Sequence, residues 1–194
     1  MKVVIINYNA GNTKSVENAL LRLNVMPLIT HDAEEIASAD KVIFPGVGHA
    51  LPTMHYLKQN GLDRVIKQLK QPVLGICLGQ QLMCKHSEEG DVECLGIFDV
   101  EVKKFNSEME KVPHMGWNGI KKLKSPLFHN LNVQDYVYFV HSYYCTLSPD
   151  TIAETDYILP FSSALHVDNF YAVQFHPEKS ASVGNTILEN FLML

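Results

Sequence analysis

Short apolar runs alternate with amphipathic stretches through the first half of the chain. Residues 3–6, 41–44 and 73–76 are mainly apolar runs of strand length, and residues 27–30 form a similar run. Between these runs, residues 13–23 repeat apolar side chains at helical spacing, so that they share one face of a helix. The alternation of strands and helices indicates a parallel sheet that is covered by helices on both faces.

Further helix signals occur in both halves of the chain. Asp32 is placed to cap a helix whose first turn contains Glu34 and Glu35. Two helical stretches flank Gly61, and residues 181–192 have the pattern of an amphipathic final helix. These helices supply the layers that a parallel sheet requires on its faces.

The second half changes to strands that follow one another closely. Residues 97–105, 136–140, 164–167 and 171–175 have strand patterns and are predicted to add antiparallel strands to the sheet. The sequence therefore predicts an α/β fold with an open, mostly parallel central sheet, flanking helices and antiparallel strands in the C-terminal half. We expect one domain over residues 1–194, because no linker or internal repeat interrupts the pattern.

Composition excludes several classes of function. The chain is 46% hydrophobic and 19% charged, which is typical of a globular domain. Its net charge of −5 gives no reason to expect a nucleic acid or an anionic membrane as partner. No apolar run approaches the length of a membrane span, and the N-terminus enters a strand pattern without a cleavage site. A cytoplasmic location is the expectation.

The cysteine and histidine spacings do not predict a metal site or a disulfide scaffold. The four cysteines contain no C-x-x-C pair, and the nine histidines contain no H-x-x-x-H pair. We therefore expect reduced thiols and no metal.

Cys77 stands in the sequence Gly75-Ile-Cys-Leu-Gly79, between the apolar residues 72–76 and the helix-like residues 78–86. A strand that turns abruptly into a helix projects the turn residue from the edge of the sheet, and flanking glycines allow the two elements to pack closely. The helix N-terminus favours a thiolate at this position. The Leu78 N–H points to the same place and is a candidate oxyanion donor.

His176 and Glu178 follow a strand pattern about a hundred residues later. In an extended segment, residues i and i+2 project to the same side, so the carboxylate is predicted to hold the imidazole in one tautomer. A single buried cysteine or a single His-Pro-Glu turn is usually structural. A thiol, a base and a group that orients the base together predict a cysteine nucleophile site.

These motifs resemble those of the class I glutamine amidotransferases. Six segments extend the resemblance over essentially the whole chain and make it closest to the branch of that family that acts in histidine biosynthesis. They are residues 8–12, 45–48, 75–79, 113–118, 139–143 and 174–179. The chain departs from the commonest family pattern at Asn7, where aspartate is frequent, and at Thr13, where leucine is frequent.

The resemblance implies hydrolysis of glutamine to glutamate and ammonia without a cofactor. Cys77 would be the nucleophile, His176 the base and Glu178 the group that orients the base, with a γ-glutamyl thioester as intermediate. The family's oxyanion loop corresponds to Gly46, Val47 and Gly48, acting with Leu78. The candidates for substrate contact are Gln81, Glu89, His141, Ser142 and Tyr143. The alternative from the residues alone is that the loop is a turn after a strand and that these side chains are helix-surface or packing residues; for the loop, its place at the end of a strand favours the functional interpretation.

The resemblance also implies a protein partner. Met115, Trp117, Asn118 and Lys179 are expected to face a (β/α)₈-barrel cyclase subunit in a heterodimer. Ammonia would pass to that subunit, which forms imidazole glycerol phosphate and an aminoimidazole carboxamide ribotide. From composition alone, Trp117 would instead be a core residue.

Other functions remain open on the sequence alone. The chain could serve another ammonia-dependent synthase, as a pathway paralogue or as a pyridoxal phosphate synthase subunit, although the Gly-Gly-Glu-Ser loop of the latter is absent. It could be a free-standing γ-glutamyl hydrolase. A non-catalytic regulatory subunit of the same fold is a further alternative, which the presence of all three triad residues disfavours.

Overall fold

The structure of the protein, a computed structural model, describes residues 1–8, 12–133 and 135–194. The strands are β1 (Val3–Ile6), β2 (Leu28–Thr30), β3 (Lys41–Phe44), β4 (Val73–Ile76), β5 (His86–Ser87), β6 (Val92–Glu93), β7 (Glu101–Lys104), β8 (His114–Gly119), β9 (Tyr136–His141), β10 (Tyr143–Cys145), β11 (Thr151–Tyr157), β12 (Leu159–Val167) and β13 (Phe170–Val173). The helices are α1 (Thr13–Arg22), α2 (Ala33–Ala37), α3 (Ala50–Gln59), α4 (Leu62–Gln68), α5 (Leu78–Met83) and α6 (Ala181–Met193). Two 3₁₀ helices span Pro126–Phe128 and Pro177–Lys179.

A seven-stranded sheet forms the centre, in the order β11-β12-β13-β4-β3-β1-β2. The five strands from β13 to β2 are parallel, whereas β12 pairs antiparallel with both β13 and β11. The predicted fold class is therefore confirmed. The apolar runs of the first half lie within one residue of observed strands, because strands that are buried on both faces must be apolar throughout.

Helices cover both faces of this sheet. Side chains of β1 alternate, so that Val4 and Ile6 pack on the face with α2, α3, α4 and α5, while Val3 and Ile5 pack on the face with α1 and α6. As predicted, the Asp32 carboxylate caps α2 by accepting the N–H groups of Glu34 and Glu35. No helix in the described part of the chain is long and apolar enough to cross a membrane.

Two predictions about the second half are wrong in detail. Residues 97–105 contain a strand only at β7, which belongs to a separate four-stranded sheet in the order β10-β7-β5-β6. The strand predicted at residues 136–140 is β9, but it pairs with β8 in a two-stranded ribbon and not with the central sheet. Phe98 and Val100 are buried without belonging to a strand, so their apolar pattern reflects core packing alone.

The helix predicted over residues 78–86 ends at Met83. Cys84 is already extended, and the next residue, Lys85, donates its N–H to the carbonyl oxygen of Val100. Residues 84–86 therefore leave the helix to build the second sheet, which begins with β5. The short α5 starts directly at the carboxyl end of β4, the edge at which open parallel sheets bind their ligands.

Candidate active site

Cys77 is the single residue between β4 and α5, and its backbone is strained. Its φ of 53° and ψ of −108° are unusual for a residue other than glycine. Gly75 and Gly79 do not have a positive φ, and their role is the close packing that the sequence predicts. They are required by close packing, because a Cβ at Gly79 would lie 2.0 Å from the Phe44 carbonyl oxygen.

His176 and Glu178 form a buried pair. The imidazole Nδ1 lies 2.7 Å from the Glu178 Oε1, and both side chains are almost fully shielded from solvent. Glu178 belongs to the 3₁₀ helix Pro177–Lys179, so the expected extended i, i+2 geometry is wrong although the contact itself is present. The carboxylate accepts the Nδ1 proton and leaves Nε2 to act on other groups.

Electrostatics connect this pair to Cys77. Burial by itself would lower the pKa of His176, but interaction with Cys77, followed by interaction with Glu178, raises that pKa to about 10. The Nε2 atom is buried and has no hydrogen-bond partner of ordinary geometry among the described residues. A protonated imidazole beside a thiol is the arrangement that favours a thiolate nucleophile.

Asn12 also binds the carboxylate of Glu178. Its Nδ2 donates to Glu178 Oε1 at 2.6 Å, so one carboxylate oxygen accepts hydrogen bonds from both Asn12 and His176. Asn12 precedes α1 and has a φ of 106°. No role was expected for Asn12 from the sequence; its only signal was its position in the motif at residues 8–12, of which residues 9–11 lie outside the described part of the chain.

The expected oxyanion loop contacts the elbow and occupies one of the expected oxyanion donors, the Leu78 N–H. The Leu78 N–H donates to the Gly46 carbonyl oxygen at 3.3 Å, so this donor is occupied in the structure. Val47 and Gly48 line the cleft in front of Cys77. Gly46 must be glycine, because a Cβ there would lie 2.4 Å from the Tyr8 hydroxyl.

Tyr8 also holds this loop in place. Its hydroxyl donates a hydrogen bond to the Pro45 carbonyl oxygen. Burial and the nearby Cys77 raise the pKa of Tyr8, so the hydroxyl remains a donor at physiological pH. Loop residues 45–48 are therefore held by two hydrogen bonds, at Pro45 and at Gly46.

A cleft of about 360 Å³ opens in front of Cys77. All five residues expected to contact substrate line it: Gln81, Glu89, His141, Ser142 and Tyr143. The side-chain polar atoms of three of them are partly used inside the protein. Glu89 Oε2 accepts the Ala50 N–H, while His141 Nδ1 and Gln81 Nε2 both donate to the Tyr143 carbonyl oxygen. The position of these side chains agrees with the expectation, while their contact with a substrate remains a prediction.

The exposed face of the β8–β9 ribbon carries large side chains. Met115 and Trp117 are 62% and 52% exposed. The Trp117 ring lies 6.1 Å from the Tyr138 ring, and Lys179 Nζ lies 6.0 Å from the centre of that same ring. Three of the four expected partner residues therefore share one surface.

Asn118 lies on the opposite side of β8 from this surface. Its Nδ2 donates to the Asp156 carbonyl oxygen at 3.0 Å, and it also lies 3.3 Å from His114 Nε2. Strand alternation explains the difference, because residue 118 projects away from the side that Trp117 faces. Its contact with a partner remains a prediction that the side-chain direction does not favour.

The remaining cysteines do not build a second site. The Sγ atoms of Cys84 and Cys145 are 3.5 Å apart without a bond, and burial raises the pKa of Cys84. Over residues 1–8, 12–133 and 135–194, no group of three or more His, Cys, Asp and Glu side chains could hold a metal ion.

An α/β sheet with a cysteine at a strand-to-helix elbow and a His–Glu pair beside it defines the class of glutamine amidotransferases. The family model described as glutamine amidotransferase class-I matches residues 4–194, and the chain belongs to that family. The crystal structure of a glutamine amidotransferase from Thermotoga maritima shares the fold, with a TM-score of 0.65 at 16% identity over 100% of this chain and 83% of that chain.

More similar relatives narrow the class to one kind of subunit. A Bacteroides fragilis protein named imidazole glycerol phosphate synthase subunit HisH is 63% identical over 100% of both chains. A Legionella pneumophila protein named imidazole glycerol phosphate synthase subunit HisH 2 is 47% identical, over 99% of this chain and 98% of its own. Within the class, this chain groups with the HisH subunits.

Proposed function

We propose that the chain is the glutaminase subunit of an imidazole glycerol phosphate synthase and provides ammonia for histidine biosynthesis. The observation that carries the proposal is the position of Cys77 at a strained elbow, in a cleft, beside the buried His176–Glu178 pair. The identity of 63% to a HisH subunit favours this function over a different ammonia-dependent synthase. A cytoplasmic location remains a prediction.

The mechanism follows from the three side chains. The Cys77 thiolate attacks the side-chain carbonyl carbon of glutamine, and His176, protonated at both nitrogens, gives its Nε2 proton to the departing ammonia. The product of this step is a γ-glutamyl thioester on Cys77. His176 then takes a proton from water, whose oxygen attacks the thioester, and glutamate leaves. Glu178 stabilises the imidazolium whenever it forms.

The loop at residues 45–48 must change its conformation before the Leu78 N–H can stabilise the oxyanion. In the structure the Gly46 carbonyl oxygen occupies the Leu78 N–H, which would otherwise bind the developing charge. We propose that the free subunit is mainly in this occupied state. We propose that docking of a cyclase partner on the surface formed by Met115, Trp117 and Lys179 favours an open loop, in which the Leu78 N–H is free. That surface adjoins the His176–Glu178 segment of the site.

The proposed function is tested by measuring glutamine hydrolysis in three mixtures: the chain alone, the chain with a (β/α)₈-barrel cyclase subunit, and both with the nucleotide substrate of the cyclase. We expect slow hydrolysis by the chain alone and a rise of at least about a hundredfold in the full mixture. Fast hydrolysis that the cyclase does not change would indicate a free-standing amidase and would overturn the assignment.

Tyr8→Phe is expected to raise the hydrolysis rate of the isolated chain about fivefold. A neutral hydrogen bond contributes about 1 kcal/mol. Its loss would shift the equilibrium between the occupied and open states of the loop by about that free energy, toward the open state. The measurement is the initial rate of glutamate release, with Tyr56→Phe on α3 as the matched control. An isolated-chain rate that stays constant or falls would contradict the role of Tyr8 as a restraint on the loop.

Trp117→Ala is expected to weaken the complex with the cyclase about thirtyfold. A large aromatic side chain at the centre of an interface typically contributes about 2 kcal/mol to binding. Titration calorimetry measures the change in Kd. Met26→Ala is the control, because Met26 is 84% exposed and precedes β2, an edge strand of the central sheet that does not pair with the ribbon. An unchanged Kd for Trp117→Ala would place the interface elsewhere, and equal weakening by both variants would indicate a general effect on the fold.

A further inference from the structure

A second glutamine side chain touches the candidate nucleophile. Gln174 directly follows β13 and is fully buried. Its Nε2 lies 3.6 Å from the Sγ of Cys77, within hydrogen-bond distance for a sulfur acceptor. The mechanism above assigns Gln174 no role, and burial of an amide beside a thiol requires a reason, since a buried polar group is costly unless it is bonded.

The direction of the Gln174 amide is determined by its neighbours. Gln81 Nε2 donates to the Tyr143 carbonyl oxygen at 3.1 Å and to Gln174 Oε1 at 2.9 Å. A backbone carbonyl can only accept, so Gln81 must present its nitrogen to Tyr143 and Gln174. Gln174 must then present its oxygen to Gln81 and its nitrogen to the sulfur.

The Tyr143 carbonyl oxygen is itself held in place. It also accepts the Nδ1 proton of His141 at 2.7 Å, and the other ring nitrogen of His141 lies 2.9 Å from His114 Nδ1. Burial lowers the pKa of His141 to about 3, so its ring stays neutral and keeps these two hydrogen bonds at physiological pH. The orientation of Gln174 is therefore fixed before any substrate binds.

We propose that Gln174 is a further catalytic residue, whose N–H group donates to the Cys77 sulfur and stabilises it as a thiolate. This inference rests on the proposed function. Hydrogen bonds to ionised groups are stronger than neutral ones, especially where water is excluded, as at this fully buried amide. The amide cannot take up a proton, so it stabilises the anion without competing with His176 for the proton.

The same donor acts twice in the reaction. Before attack it stabilises the thiolate. When water attacks the γ-glutamyl thioester, the carbon–sulfur bond breaks and its electron pair returns to sulfur, where the Gln174 N–H stabilises the leaving thiolate. Gln81, which we expect to contact substrate, is then also a positioning residue for Gln174.

The test is the rate at which iodoacetamide alkylates Cys77 between pH 6 and pH 9, followed on the Cys77 peptide by mass spectrometry. Alkylation requires the thiolate but no glutamine. For Gln174→Met we expect an approximately tenfold lower rate at pH 7 and a profile that moves to higher pH. The control is Gln80→Met, because Gln80 is equally buried but donates to the Ser162 carbonyl oxygen.

An alkylation profile of Gln174→Met that overlaps the unsubstituted chain would overturn the inference. If that variant does not fold, the side-chain amide protons of Gln174 are compared by NMR in the unsubstituted chain and in Cys77→Ala. We expect them to shift when the sulfur is removed, and unchanged shifts would also overturn it. An inactive glutaminase with a Gln174-dependent profile would refute the proposed function alone.

Discussion

Cys77→Ala is expected to abolish glutamine hydrolysis, with a loss of at least about 10⁴-fold in kcat, while the fold is retained. No other described thiol lies in the cleft, and without the nucleophile the thioester cannot form. Alanine keeps the Cβ and the backbone constraints of the elbow, so we expect a Tm within a few degrees of the unsubstituted chain.

The measurement is glutamate release in the presence of the cyclase subunit, together with thermal unfolding. Cys94→Ala is the matched control, since Cys94 is a partly buried thiol away from the cleft. Residual hydrolysis above about 1% would remove Cys77 from the role of nucleophile. Loss of activity in the Cys94 variant would instead indicate a general effect of cysteine replacement on stability.

Glu178→Gln is expected to lower kcat about a thousandfold with little change in KM. An amide oxygen can still accept the Nδ1 proton of His176, but it carries no charge to stabilise the imidazolium. In addition, the new amide nitrogen would replace Oε2, which is buried and has no partner among the described residues. Glu189→Gln on the exposed face of α6 is the control.

The same variant changes the pH dependence of stability. Because the pKa of His176 is raised to about 10 in the folded protein, its stabilising contribution is full below the unfolded value of 6.5 and is lost as pH rises toward 10. Glu178 is one cause of that raised pKa. We therefore expect the Tm of Glu178→Gln to fall less steeply between pH 6.5 and pH 10. An unchanged kcat, or an unchanged slope, would contradict the role given to Glu178.

The parallel half of the fold could be predicted because its strands are buried on both faces. Apolar runs such as β3 and β4 fit only central strands once helices separate them. In β9, buried side chains alternate with more exposed ones, and in β7 only Val102 is buried; both strands belong to other sheets. Their side-chain alternation reports which face is buried and carries no information about which strand lies beside them, so long-range pairing could not be derived.

The site was predictable where motifs are local and was missed where contacts are distant. The elbow at Cys77 and the His176–Glu178 pair are each built from residues that are close together in the sequence. In contrast, Asn12 reaches Glu178 across 166 residues, and Gln174 reaches Cys77 across 97 residues. The bond between Gly46 and Leu78 was also unforeseen, because it depends on how a loop lies against a helix and not on residue types.

The positive φ of Cys77 has a consequence for how this protein can evolve or be engineered. A side chain in this region of backbone space costs of the order of 1–3 kcal/mol, and glycine would carry little of that cost. Any selection for heat resistance that ignores turnover therefore favours glycine at position 77 and discards the nucleophile. Stabilised variants of this subunit should be sought among residues remote from the elbow, where a gain in stability does not remove the nucleophile.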